Sequence, residues 1–352
     1  MDARLLNERI NTDKTASLVA YFKNRKPTQF PPPAGFKTLN SNDFNIFVFG
    51  GSSVIISDGH PFPKHLQDLL NKKSENGRKV RVTNFGVLGI DSYNVTYRAW
   101  QSLTGLKVKP DLMIVYTGHN DYNNAYRNII NKDHEGLFDL FLRISYRYTG
   151  QKFTFSNQKG FSLSKSFPDM KWFSIFNRPK FVNLAQMAGV AEISTALYEQ
   201  YNKEIFLHFQ DNLKLLQKMC SEAKVPLLLI TPVGNIHAKP FGKTDIVDKY
   251  YDQGMKETNR EKAFTLLRKA QEHELFTGDM RVKKAVRDYL IGLNNHFTIF
   301  TINLESELMD RDFSYSPDEF LDYFHLTDKT HSLIAEIIVN KINTIPLLAQ
   351  RN

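Results

Sequence analysis

Five short apolar runs punctuate the chain, and each gives way to a turn-forming stretch. Residues 45–49 read N-I-F-V-F, 80–85 V-R-V-T-N-F, 111–116 D-L-M-I-V-Y, 225–231 V-P-L-L-L-I-T and 297–302 F-T-I-F-T-I. Runs this short and this continuously apolar predict strands buried on both faces. Between them the spacing changes to that of helices. Leu66, Leu69 and Leu70 share one face, residues 92–106 form a second helix ahead of the Lys109-Pro110 stop, and a long amphipathic helix over 194–223 aligns Leu197, Tyr201, Ile205, Phe209 and Leu213. A helical pair is expected at 261–275 and 282–293, and a closing helix at 332–342. Strands alternating with helices predict an α/β fold: a doubly wound, five-stranded parallel sheet with helices on both faces. Ligands of such sheets sit in a crevice at the carboxyl ends of the strands.

The regularity lapses after the third strand, which marks residues 123–193 as one insertion, and residues 242–296 as a second, of helical spacing and balanced charge. With residues 1–44 as an N-terminal extension, the remaining domain runs over 45–350. The first insertion holds most of the net charge of +9: Arg143, Arg147, Lys152, Lys159, Lys165, Lys171, Arg178 and Lys180 face a single acid, Asp169, between 143 and 181. Aromatics interleave with these cations, among them Phe153, Phe161, Trp172 and Phe176. Two readings follow. The segment packs as a small cap over the crevice with its cations in solvent, or it makes peripheral contact with an anionic surface. No nucleic-acid partner is expected.

A single cysteine, Cys220, excludes a disulfide framework and a thiolate metal cluster. No run approaches the roughly 18 apolar residues that a membrane-spanning helix requires. The start, Met1-Asp2-Ala3-Arg4, lacks the plan of a signal peptide, so the chain as written is expected to be soluble. Its compartment stays open, because a leader or anchor upstream would place it outside the cytoplasm.

The turns after the strands carry the candidate chemistry. Gly50-Gly51-Ser52-Ser53 follows the first run, and by itself is no more than favoured turn chemistry. It matches neither phosphate-binding glycine pattern. Asn84-Phe85-Gly86-Val87-Leu88-Gly89 follows the second run and Thr117-Gly118-His119-Asn120-Asp121 the third. Asp322-Tyr323-Phe324-His325 precedes the closing helix, and an Asp three residues ahead of a His can orient the ring and stabilise its cation. Asp328 and His331 repeat that spacing inside the helical region, where a capping Asp and an exposed His are expected. His119 has no accompanying set of His and carboxylates at ligand spacing, so neither a metal nor any other cofactor is expected.

Taken together, a Ser-bearing turn, a glycine turn, a Gly-x-Asn turn and an Asp-x-x-His block, in that order, resemble the SGNH (GDSL-type) hydrolase superfamily. The resemblance spans about Asn45 to Ile342, and V-Y-T-G-H-N-D and F-H-L-T are similar to stretches of large bacterial members with helical inserts. It implies a flavodoxin-like sheet and a serine esterase or acylhydrolase acting on an O-acyl ester of a small molecule, lipid or glycan. Ser52 would be the nucleophile, His325 its base and Asp322 the orienting acid. Backbone N–H groups of Ser52 and Gly89 and the amide of Asn120 would form the oxyanion hole. The acid that usually precedes the nucleophile is replaced by Gly51. Placing Ser52 at the start of a following helix would favour developing negative charge there. Two alternatives accompany this reading: an O-acyltransferase acting on a glycan with the same triad, and a non-catalytic module binding an anionic partner.

Overall fold

Strand β1 (Phe44–Gly50) is buried along its whole length, so both faces of its pleat are covered and its sequence shows no polar alternation. It pairs in parallel with β2 (Val80–Asn84) through Phe47↔Thr83 and with β3 (Leu112–Tyr116) through Phe47↔Met113. β4 (Leu227–Ile230) and β5 (Ile299–Ile302) complete an all-parallel sheet of order β2-β1-β3-β4-β5. That is the five-stranded, doubly wound sheet expected from the alternation of runs. Its order reverses between β1 and β3, and the crevice of such a sheet opens at this switch point.

The computed structural model describes residues 33, 39–73, 79–125, 195–240, 245–274, 281–295, 297–316 and 318–345. Contacts divide the chain into two units, residues 1–24 with 125–201 and residues 25–124 with 202–352. The sheet and every candidate site residue belong to the second. The basic aromatic segment 143–181 and almost all of the extension 1–44 lie outside the described residues.

Alternation along the strands sorts the helices onto two faces. Ile46, Val48, Ile114, Leu228, Ile230 and Ile302 share one core with Phe62, Leu66 and Leu70 of α1 (Phe62–Lys73) and with Ile334 and Ile338 of α8 (Asp328–Asn343). The opposite phase, including Phe49 and Met113, packs against Phe85 (ring centroids 4.8 Å from Phe49) and Cys220, whose Sγ lies 3.5 Å from the Met113 sulfur. Cys220 belongs to α3 (Thr195–Glu222), and Thr96 of α2 (Ser92–Gly105) donates to the Asn212 carbonyl of α3 at 3.1 Å. Helices therefore cover both faces, as expected.

The second insertion holds one helix more than the expected pair: α4 (Asp245–Lys256), α5 (Arg260–Glu272) and α6 (Lys284–Gly292). α4 and α5 cross closely at Gly254, where a Cβ would stand 2.7 Å from Leu267 Cγ. A short α7 (Leu304–Met309), also unanticipated, follows β5. Among the described residues no helix is long and apolar enough to cross a membrane.

The closing helix starts at Asp328, four residues before the expected boundary, and this overturns two readings. His331 is not exposed. Its ring is fully buried, lies 6.1 Å from the Phe62 ring, and pairs Nε2 with the Ile56 carbonyl at 3.0 Å. Asp328 does not cap its own helix; its Oδ1 accepts from the His60 N–H at 2.6 Å and pairs with His65 Nε2 at 2.9 Å. Both corrections follow from the packing of α8 against α1 and the residues just ahead of it, which buries His331 and engages the half-exposed Asp328 side chain. Burial, opposed by the Ile56 hydrogen bond, pushes the His331 pKa down from 6.5 to about 4.

That shift fixes a sign. Between pH 6.5 and 4 the unfolded chain takes up a proton that the folded ring refuses, so stability falls with the pH. Acidifying from about pH 7 to about pH 4.5 should cost the wild type roughly 2–3 kcal/mol through His331. In His331→Gln, which cannot be protonated, urea unfolding at the two pH values should lack that increment. Equal acid losses in both proteins would contradict the assignment.

Candidate active site

Gly50 ends β1 where no side chain fits: a Cβ there would lie 2.4 Å from the Tyr116 carbonyl of the neighbouring strand and 2.8 Å from Val54 Cγ1. The chain then makes a single 3-10 turn, Ser52–Val54, with Ile55 N–H donating to the Ser52 carbonyl at 2.9 Å. Ser52 and Ser53 are both buried. The helix expected to begin at Ser52 is thus only this three-residue turn, and α1 starts at Phe62. So short a turn sums few peptide dipoles. Negative charge at Ser52, were it to develop, would be met by individual N–H groups instead.

The second strand continues as a tail along that turn. Phe85 N–H donates to the Val48 carbonyl at 2.7 Å and Val87 N–H to the Gly50 carbonyl at 3.1 Å, which carries Gly89 to the mouth of the switch point. Gly89 sits at φ +71, and nothing stands within 4 Å of where its Cβ would be. That backbone strongly favours glycine, and it leaves an open face beside the N–H. Asp91 then caps α2, accepting from Asn94 N–H at 3.3 Å.

From β3 the chain passes Gly118, at φ +125, and is helical from His119 onward. Asn120 is buried and donates Nδ2 to the Ile90 carbonyl at 2.9 Å. The same Nδ2 would lie 2.6 Å from a Cβ on Gly51, so the amide rests directly on the turn that carries Ser52. An amide nitrogen has two hydrogens, and the second donates to no described residue. Asp121, next in sequence, accepts from both the N–H and the hydroxyl of Ser92. This pins the Asn120 turn to the start of α2. The role of Asp121 was not anticipated, since nothing in the sequence pairs it with Ser92.

The Asp322–His325 block forms a closed loop ahead of α8, tied by Leu321 N–H to the His325 carbonyl at 2.8 Å and by a bridge between Phe320 and Leu326. Asp322 Oδ1 accepts from the N–H groups of Phe324 (2.9 Å) and His325 (2.8 Å), while Oδ2 meets His325 Nδ1 at 2.5 Å. Burial pushes the Asp322 pKa up, but the His325 hydrogen bond and charge and the two amides outweigh it and hold the carboxyl below its usual range. Nδ1 of His325 is thereby committed. Among the described residues the buried Nε2 has no hydrogen-bond partner, Ser52 included.

The loop and the Asn120 turn meet through aromatic rings. His119 stacks on Phe324 with centroids 5.1 Å apart, and Phe324 in turn lies 4.5 Å from the His325 ring. Burial, reinforced by His325 and opposed by Asp322, lowers the His119 pKa to about 3, so this imidazole is neutral at ordinary pH. Gly51, Asn120, Ile90, His119, Phe324 and His325 therefore form a connected series of contacts. Among the described residues no group of three or more His, Cys, Asp or Glu is arranged to hold a metal ion.

No protein-family model matches the chain, and no curated protein matches it. Solved structures do. The lipase/acylhydrolase from Enterococcus faecalis is 13% identical, with a TM-score of 0.35, over 85% of this chain and 94% of that one. The acetyl xylan esterase AlAXEase is 10% identical, with a TM-score of 0.38, over 85% and 99%. LAE5, an alpha/beta hydrolase enzyme from the metagenome of Lake Arreo, Spain, is 14% identical, with a TM-score of 0.36, over 86% and 95%. Likenesses this distant say nothing about substrate or chemistry.

The contact at Gly51 gives a structural test. Its φ of −83 suits any residue, so Gly51→Ala should fold, and the new methyl should drive the Asn120 amide aside. A crystal structure of the variant should show the Asn120–Ile90 hydrogen bond broken. An Asn120 side chain left in place would contradict the close approach.

Proposed function

We propose that the chain is an ester hydrolase of the SGNH type, using Ser52 as nucleophile, His325 as general base and Asp322 as the orienting carboxylate. The observation that carries this reading is the state of His325. Its Nδ1 is held at 2.5 Å by a carboxylate that is only 10% exposed, while Nε2 is buried without a hydrogen-bond partner among the described residues. An imidazole fixed on one side and unused on the other is what a serine hydroxyl needs in order to lose its proton. In unliganded sites the bond from nucleophile to base is often long and closes when substrate is bound.

In the proposed reaction Ser52 Oγ attacks the ester carbonyl while its proton passes to His325 Nε2. Asp322 keeps Nδ1 protonated and stabilises the imidazolium. Negative charge on the carbonyl oxygen is met by the N–H groups of Ser52 and Gly89 and by the second amide N–H of Asn120, each donor being worth ~10²–10³ in rate. The intermediate collapses with cleavage of the ester C–O bond, and His325 returns its proton to the departing alcohol. Water, deprotonated by His325, then attacks the acyl-enzyme and restores the Ser52 hydroxyl. The substrate class is an O-acyl ester whose alcohol half is a small molecule, lipid or glycan. Transfer to a sugar hydroxyl in place of water would use the same steps.

Turnover of p-nitrophenyl acetate, with and without a sugar acceptor, tests the roles. Ser52→Ala and His325→Ala should each lose at least about a thousandfold in kcat, in line with triad deletions elsewhere. Ser53→Ala should keep most of the activity. A dead Ser53 variant beside an active Ser52 variant would overturn the assignment. An acceptor that accelerates turnover and appears acylated in the products would move the reading to acyl transfer.

A further inference from the structure

The second insertion contains a charge pair with no access to water. The side chains of Glu274 and Arg281 are both 0% exposed, with Arg281 Nη2 3.0 Å from Glu274 Oε1 and its Nε 3.2 Å from Oε2. A buried ion pair is a weak source of stability, because desolvation offsets most of the attraction. Its placement is the more informative feature. Arg281 Nη1 donates to the carbonyl of Asn235 and, at 2.8 Å, to that of Ala238, both in the segment leaving β4. The Tyr323 ring lies over the guanidinium at 5.5 Å, and the Asn235 N–H donates to the Tyr323 carbonyl at 2.8 Å. Gly234 permits this: a Cβ there would stand 3.0 Å from Arg281 Cγ and 3.2 Å from the Tyr323 oxygen.

Tyr323 is the residue between Asp322 and the Phe324-His325 pair. One guanidinium thus holds the segment after β4 by its carbonyls and the His325 loop by its aromatic ring, while Glu274 holds the guanidinium. We infer that Arg281 is a positioning residue for the Asp322–His325 loop, a brace lent by the helical insertion to the proposed base. This rests on the assignment of His325 as that base. It gives the insertion a role in the reaction. Arg281 does not act as a catalytic residue. Its effect runs through the geometry of the loop, where a misplacement of ~1 Å can cost about 10²-fold in rate.

Two variants test the brace independently of each other. Arg281→Met with Glu274→Met removes both charges of the pair together and leaves the neighbouring buried Lys283 with Glu272 as its acidic partner. Tyr323→Leu keeps the ion pair and removes the ring through which the guanidinium meets the loop, so the test survives if the double variant fails to fold. Two readouts are taken on each folded variant. The first is hydrogen exchange at the Phe324 and His325 amides, which report the Asp322 bonds whether or not the protein turns over an ester. The second is kcat and KM with p-nitrophenyl acetate.

Exchange at those two amides should speed at least about tenfold, with α8 amides unchanged, and kcat should fall about 10–100-fold at an unchanged KM. Unaltered loop exchange, or full kcat in either folded variant, would overturn the brace. Loop exchange that speeds in a protein whose wild type shows no Ser52-dependent turnover would leave the brace standing and remove the proposed reaction.

Discussion

The Asp322 carboxylate is almost out of water, its side chain 10% exposed, and a carboxylate so placed must be satisfied by donors or give up its charge. The loop around it is built to that requirement. Two backbone N–H groups converge on one oxygen and the His325 ring on the other, and these partners outweigh the burial that would otherwise neutralise the acid. Satisfying the carboxylate fixes the ring. Fixing the ring leaves a single nitrogen, Nε2, to do anything else, and among the described residues that nitrogen has no hydrogen-bond partner. The proposed chemistry is a consequence of this one solvation problem and of where the fold puts it.

The placing is done by glycines and by the switch in strand order. β1 and β3 leave the sheet side by side, and their turns approach closely enough that Gly50 and Gly51 admit no Cβ without displacing a backbone carbonyl or the Asn120 amide. The absence of an acid at position 51 acquires a physical reading here: the space beside the Ser52 turn is filled by Asn120. Hydrophobic burial on both faces of the sheet keeps these edges in register, while the polar groups above them are held by few and specific hydrogen bonds.

Much of this was legible in the chain. Strands buried on both faces advertise themselves as unbroken apolar runs, and the turn after β3 carries polar residues beyond what a turn requires, while those after β1 and β2 gain meaning only beside it. Asp322 and His325 could be paired from spacing alone because their contact is local. Contacts across long separations could not. His331 reads as a surface residue at the head of a helix, yet it is buried because α8 meets α1 and its ring reaches the carbonyl of Ile56. Arg281 and Glu274 sit in a stretch whose charges look solvated, and only the fold brings them beneath Tyr323. α4 escaped notice because its buried face is small, Val247 and Gly254 with Tyr251 beside them, while the apolar Ile246 and Met255 are exposed.

Whether this edge activates one serine can be asked by labelling with a fluorophosphonate, which phosphonylates a serine only when a base has primed it. Peptide mapping should place the phosphonate on Ser52, and labelling should collapse in His325→Ala. Phosphonate on Ser53 or at another site, or labelling of Ser52 that persists without His325, would contradict a nucleophile and base built around the Asp322 loop.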